Sequence, residues 1–142
     1  MPYSKAGKLE FRRAAKLRAK GDMDGAIQVL RQLISEFPDQ AAASLVIGDI
    51  LWSQGKMSQA AKEFRRTTKR FPQLEIASLG LFHTLWAQSK TDAAFDEMKR
   101  FQSISFCKDY KRIVNEILQK TPDTIRKNGA SRAKLCEVRA TP

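Results

Sequence analysis

The residues best suited to chemistry are few and widely separated. The 142-residue chain has one histidine, His83, and two cysteines, Cys107 and Cys136. His83 lies on an apolar segment beside Trp86, where a core or groove-lining role is favoured over general-base catalysis. Three Cys and His residues cannot form a four-ligand zinc site, and neither a glycine-rich phosphate-binding motif nor His-Glu-x-x-His occurs. We therefore predict a protein that is not an enzyme and that needs no cofactor or metal.

Positive charge is the second chemical feature of the chain. Lys and Arg number 26 against 15 Asp and Glu, which gives a net charge of +11. At helical spacing, part of this charge forms two stripes, which we call the α1 stripe and the α4 stripe after the first and fourth predicted helices, at about 4–20 and 58–70. The α1 stripe contains Arg12, Lys16 and Lys20, and the α4 stripe contains Lys62, Arg65, Arg66, Lys69 and Arg70. Such stripes can neutralise phosphates, but no aromatic residues interleave with them for base stacking. A solvated helix face is therefore favoured over nucleic-acid binding.

The composition is typical of one soluble domain. Hydrophobic residues make up 42% of the chain and charged residues 29%. A chain of this length buries roughly two thirds of its unfolded surface, so it needs no disulfides to fold. No stretch approaches the ~20 apolar residues of a membrane span, and the N-terminus lacks the apolar core of a signal peptide. We expect an unprocessed protein in a reducing, cytoplasmic compartment, without membrane contact.

The elements that position these residues recur every 34 residues. A turn glycine, a small residue and a proline mark the period: Gly21 and Gly55; Ala26, Ala60 and Ala94; Pro38 and Pro72. Apolar residues between these marks have helical spacing, glycine ends the first helix of the first two units, and proline separates the units. Helices are predicted at about 4–20, 24–36, 40–53, 58–70, 74–88, 92–104 and 108–120.

The period, the Gly-Asp-x-x-x-Ala turn from Gly21 to Ala26 and the closing Phe-Pro pairs resemble the tetratricopeptide repeat. The resemblance implies an all-α fold, a right-handed α-solenoid of helix-turn-helix repeats. Three repeats are predicted at about 7–40, 41–74 and 75–108, with a capping helix at 108–120 and a basic tail at 121–142. Repeat three departs from the pattern at Phe82, where a small residue is usual, and at Ser89, which replaces the turn glycine.

A binding groove is the functional feature that the resemblance implies. The first helix of each repeat would line a concave groove, and the first helices of repeats two and three are apolar on more sides than packing requires. The implied groove residues are Lys8, Phe11, Ala15 and Arg18; Ala42, Leu45, Asp49 and Trp52; Ile76, Leu79, His83 and Trp86. The alternative is that Trp52 and Trp86 are ordinary core residues. Because Ala15 and Asp49 stand where the family's carboxylate clamp has asparagines, binding of a C-terminal carboxylate is not expected.

The sequence thus predicts a protein-interaction module or adaptor that binds a peptide or helix of another protein in the apolar groove. Lys8 and Arg18 would favour an acidic flank on that partner. The alternative function is association with nucleic acid or the ribosome through the Lys and Arg stripes. A third alternative is self-association, in which the groove is buried in a homo-oligomer or covered by Leu135, Cys136 and Val138 of the tail.

Overall fold

The computed structural model describes residues 3–120, and within this range the chain forms seven α-helices and no strand. The helices are α1 (Lys5–Ala19), α2 (Met23–Glu36), α3 (Ala42–Ser53), α4 (Met57–Arg70), α5 (Glu75–Ala87), α6 (Thr91–Gln102) and α7 (Lys108–Lys120). Each predicted helix is confirmed, with ends that differ by at most two residues. The predictions of a basic tail at 121–142 and of a groove covered by Leu135, Cys136 and Val138 lie outside the described residues.

Side-chain caps begin the first two helices. The hydroxyl of Ser4 accepts a hydrogen bond from the Gly7 amide at 3.1 Å, and the carboxylate of Asp22 accepts one from the Gly25 amide at 2.9 Å. Amides in the first turn of a helix have no partner within the helix, so each cap satisfies a donor that would otherwise be exposed or unpaired. The polar residues after the turn glycine therefore help to fix where the second helix of a repeat begins.

The turn inside each repeat has the same backbone geometry. Gly21 and Gly55 have φ of +87° and +73°, and Ser89 has φ of +59° at the matching position. In all three turns the next residue donates its amide hydrogen to a carbonyl five residues earlier, at 2.9 Å, which is the bond of a Schellman helix end. The third repeat therefore keeps the turn without its glycine, although a side chain is disfavoured in the left-handed region.

The chain divides into two compact units between Thr67 and Thr68, inside α4. In the described part of the first unit, the buried apolar residues are mainly aliphatic: Ala14, Ala26, Leu30, Leu33, Ala43, Ile47, Ile50, Leu51, Ala60, Ala61 and Phe64. In the described part of the second unit, the four largest buried apolar residues are aromatic, and the full set is Ala77, Leu81, Phe82, Leu85, Ala94, Phe95, Met98, Phe101, Cys107, Tyr110 and Val114. The two cores thus share a helical framework but differ in side-chain size. None of the helices within residues 3–120 is long and apolar enough to cross a membrane.

Candidate functional site

An open cavity of about 440 Å³ lies in the first unit, where α1 faces α2 and α3. We call it the α1 cavity. Its lining residues are apolar except for one arginine: Phe11, Ala14, Ala15, Arg18 and Ala19 of α1, Met23 and Leu30 of α2, and Val46 of α3. Phe11 and Arg18 are groove residues that the sequence predicts. Ala15 is a third predicted groove residue, and the other five lining residues were not predicted.

Short side chains on α1 explain the free volume of the cavity. Ala14 and Leu30 are buried and form its floor, whereas Ala15 and Ala19 are exposed at its mouth. A methyl group at each alanine extends too little to fill the space between neighbouring helices. The cavity is consequently closed below by the core of the first unit and open to solvent above.

An ion pair lies at the rim of the α1 cavity. Arg18 Nη2 donates to Asp49 Oδ2 at 2.6 Å, which joins two predicted groove residues from the first helices of repeats one and two. Their side chains are 35% and 61% exposed. An exposed pair of this kind stabilises a fold by less than about 1 kcal/mol. Its main effect is to neutralise Arg18 and to hold the guanidinium beside the cavity.

An aromatic cluster supports the Phe11 end of the cavity. The Tyr3 ring lies 5.8 Å from the Phe11 ring and meets the Phe37 ring edge-on at 5.2 Å, measured between ring centroids. The Tyr3 hydroxyl also accepts a hydrogen bond from the Ala43 amide at 3.3 Å. Burial raises the pKa of Tyr3, and the bond from Ala43 partly opposes that rise. Tyr3 therefore positions Phe11, a role that the sequence analysis missed because the contact depends on tertiary packing.

The remaining predicted groove residues of the first unit lie at different depths. Lys8 is exposed, whereas Leu45 and Trp52 are half-buried. Leu45 is not among the residues that line the α1 cavity, and its neighbour Val46 is. The apolar character of α3 on nearly all sides is the sequence signal that could have indicated Val46.

In the second unit, the predicted groove residues surround an aromatic core. Trp86 is half-buried, with its ring stacked on Phe82 at 6.0 Å and meeting Phe95 edge-on at 5.7 Å. This packing agrees with the alternative interpretation of Trp86 as a core residue. Leu79 is half-buried and His83 is exposed.

The His83 ring also meets Phe82, edge-on at 5.4 Å. Partial burial lowers the pKa of His83, the positive charge of Arg112 lowers it further, and Asp109 acts in the opposite direction. His83 is accordingly neutral at pH 7.

A buried polar network links three helices of the second unit. The Tyr110 hydroxyl lies 2.6 Å from Ser78 Oγ, and Ser78 Oγ donates to Glu97 Oε1 at 2.8 Å. Since the Ser78 proton is directed to Glu97, the tyrosine donates to the serine. Arg100 pairs with Glu97 and donates to the Pro72 carbonyl at 3.1 Å. Ser78 and Tyr110 are fully buried, so the network is closed to substrates and is best explained as a tether of α7 to α5 and α6.

The two basic stripes differ in how far acidic residues neutralise them. All eight residues are exposed. In the α4 stripe, Arg66 lies 3.7 Å from the buried Glu63, and Arg65 and Arg70 also interact with neighbours. In the α1 stripe, no ion pair joins Arg12, Lys16 or Lys20 to a side chain within residues 3–120. The three cations of the α1 stripe are therefore not neutralised by any side chain within the described residues.

The fold is that of an all-α helical-repeat protein, and the comparison with protein families specifies the repeat. Residues 17–81 match the family model described as tetratricopeptide repeat. The matched segment is therefore similar to tetratricopeptide repeats, which supports the family that the sequence resembles. Repeats of this family mediate contacts between proteins and form a non-catalytic scaffold. No curated protein matches the chain.

Proposed function

We propose that this chain is a protein-interaction module whose first unit binds a segment of another protein in the α1 cavity. The observation that supports the proposal is the combination of an open mouth, an apolar wall and a volume of about 440 Å³. Binding sites for compact ligands have volumes of roughly 300–1,000 Å³. The cavity is thus large enough for an apolar side chain presented by a peptide.

An anchoring side chain is the contact that would supply most of the affinity. Complete burial of a Leu, Ile, Met or Phe side chain is worth roughly 1.5–3 kcal/mol, and interfaces concentrate their affinity in a few such anchors. The apolar lining offers such an anchor no competing hydrogen bonds. Backbone groups of the partner remain at the rim, close to Arg18 and Asp49, where they stay accessible to water.

The proposal is tested by filling the cavity from its mouth. Ala15→Phe places a ring in the cavity without disturbing the core, because Ala15 is exposed. Ala6→Phe is the matched control, since Ala6 is exposed on the same helix and does not line the cavity. Peptides selected from a displayed 12-residue random library on the wild-type protein serve as probes.

We expect the selected peptides to share one large apolar residue and to bind Ala15→Phe at least tenfold more weakly. Their affinity for Ala6→Phe should equal that for the wild type, as measured by fluorescence anisotropy. Equal binding to Ala15→Phe and wild type would contradict the proposal, and so would the absence of any peptide that depends on an apolar anchor.

Nucleic-acid binding is the second candidate function. The observation that favours it is the α1 stripe, whose three cations are exposed and carry no ion pair within residues 3–120. Phosphate contacts of this kind would show a steep loss of affinity with salt. An RNA probe in the experiment below distinguishes this function from peptide binding.

A further inference from the structure

Two parallel rows of side chains run along α1 beside the cavity. The apolar row contains Phe11, Ala15 and Ala19, and all three line the α1 cavity. The cationic row contains Lys8, Arg12 and Lys16, each exposed and each three residues before a member of the apolar row. Residues three and four apart are neighbours on a helix surface, with roughly 6 Å of rise per four residues. Each member of the apolar row therefore has a cation next to it.

The cationic row lacks negative partners within the described residues. Glu10 is the single acidic residue of α1. Its carboxylate lies 3.4 Å from the guanidinium of Arg13, which is not a member of the cationic row. Asp49, at the rim of the cavity, is paired with Arg18. Positive charge on a surface next to an apolar cavity attracts anionic partners and lowers the affinity for cationic ones.

We infer that the α1 cavity binds an acidic amphipathic segment of a partner protein, with an apolar side chain in the cavity and Asp or Glu side chains over Lys8, Arg12 and Lys16. This inference rests on the proposed function and adds the chemical class of the partner. A helix or extended strand with acidic residues next to its apolar anchors matches both rows at once.

A protein segment fits the two rows better than a nucleic acid does. The phosphate backbone could contact the cationic row, but the cavity wall consists mainly of aliphatic side chains and presents only one ring, that of Phe11. Nucleic-acid grooves instead offer aromatic platforms for successive bases. The apolar row is accounted for only by a partner that carries apolar side chains of its own.

The test varies the charge of the probe and of the protein separately. A displayed library has a fixed central Phe, with flanking positions drawn from Asp, Glu, Asn, Gln, Lys and Ser. The variant protein, called the row variant, carries Lys8→Gln, Arg12→Gln and Lys16→Gln together. The matched control is Lys56→Gln, Lys62→Gln, Lys69→Gln, which removes the same charge from exposed positions elsewhere.

We expect selection on the wild type to enrich Asp and Glu at the flanks. The best acidic peptide should bind the row variant at least tenfold more weakly than it binds the control variant. Its affinity should also fall as salt rises from 50 to 500 mM. Replacing its Asp and Glu by Asn and Gln should cause a loss similar to that of the row variant, and circular dichroism should show equal helix content in all proteins.

Three outcomes distinguish a failure of this inference from a failure of the proposed function. Suppose that peptides without acidic residues bind the wild type as well as acidic ones do, but bind Ala15→Phe more weakly. That result would overturn this inference and leave the proposed function standing. Acidic peptides that bind the row variant more weakly than the wild type, but bind Ala15→Phe as well as the wild type, would contradict binding in the α1 cavity. That result would overturn both the proposed function and this inference. Single-stranded poly(U) RNA that binds through the row, when no peptide does, would overturn both and support nucleic-acid binding.

Discussion

The same repeat position has opposite effects in the two units of this protein. Ala14 and Phe82 are two periods apart in sequence, and each is only 2% exposed. In the first unit the alanine forms the floor of an open cavity. In the second unit the phenylalanine contacts the rings of Trp86, Phe95 and Tyr110, with centroids 5.5–6.3 Å apart. One side chain thus decides whether the space beside the first helix stays available to a partner or belongs to the core.

This difference shows how a repeat protein can combine stability and binding in a short chain. Large aromatic side chains fill volume and make favourable ring contacts, so a unit that contains them gains stability from its own packing. A unit built from alanine and aliphatic residues has close helix contacts but leaves concave space between them. The first unit therefore keeps the open cavity that we propose as the binding site, whereas aromatic side chains occupy the core of the second unit.

The largest expected effect comes from removing the phenylalanine. Phe82→Ala would delete a buried ring from contact with three other aromatic rings, and such substitutions cost about 3–5 kcal/mol. The free energy of unfolding, measured by urea denaturation and circular dichroism, should fall by that amount. Trp86 emission, recorded in a Trp52→Phe background, should shift to longer wavelength as water reaches the ring.

Ile76→Ala is the control for Phe82→Ala, because Ile76 is also on α5 but is 60% exposed. Its effect on the free energy of unfolding should stay within about 0.5 kcal/mol. A loss below about 1 kcal/mol for Phe82→Ala would show that Phe82 is not the side chain that fills the second unit.

The helices and turns could be predicted from the sequence because their signals are local. Turn glycines at Gly21 and Gly55, the Phe-Pro separators and the apolar period all act within a few residues of one another. Ser89 shows the limit of such signals. Its turn has the same geometry as the glycine turns because neighbouring helices impose it, not because serine prefers it.

The candidate site could be predicted only in part, because its shape depends on tertiary contacts. The family resemblance indicated Phe11, Ala15 and Arg18, which line the cavity. It could not separate Trp52 from Trp86, since the packing of Trp86 depends on Phe82 and on Phe95 of the next helix. The Ser78 network was missed for the same reason, because Tyr110 reaches Ser78 from 32 residues away in sequence.

Gly48 provides an intermediate test of the Ala14 and Phe82 comparison, since it occupies the same position in repeat two. A Cβ atom there would lie 2.6 Å from Phe64 Cζ and 2.7 Å from Phe64 Cε1. Gly48→Ala gains about 1 kcal/mol in helix propensity, but overpacking costs about 1–3 kcal/mol. We expect a net loss of about 1 kcal/mol in the free energy of unfolding, measured by urea denaturation.

The companion variant for Gly48→Ala is Phe64→Leu, which removes the ring that the new methyl group would meet. In the double variant, the added cost of Gly48→Ala should disappear and its propensity gain should remain. Costs that simply add in the double variant would show that Phe64 is not the obstacle at this position.

Tyr110→Phe tests the polar tether of the second unit, in which a tyrosine and a serine join the buried Glu97. The matching residue of the first unit, the buried Glu63, pairs with Arg31 and Arg66 instead. The change removes a hydroxyl that lies 2.6 Å from Ser78 Oγ and keeps the buried ring. At pH 8 we expect a loss of about 1 kcal/mol in the free energy of unfolding, the usual net value of one hydrogen bond.

The pH dependence of this variant separates the tether from simple packing. Burial raises the pKa of Tyr110 in the folded protein well above its ordinary value of 10.0, and the Ser78 hydrogen bond only partly opposes the rise. Above about pH 10 the unfolded chain loses the tyrosine proton while the folded chain retains it, so the folded state binds more protons and stability falls as pH increases.

The difference in free energy of unfolding between the wild type and Tyr110→Phe should therefore fall by up to about 1.4 kcal/mol per pH unit above pH 10. The two proteins should become nearly equal in stability close to pH 11. Tyr3, whose pKa is also raised by burial, is present in both proteins, so its contribution cancels in the difference. A difference that stays constant from pH 8 to pH 11 would mean that the Tyr110 hydroxyl is not held in a buried, neutral state, and the tether would then not distinguish the two units.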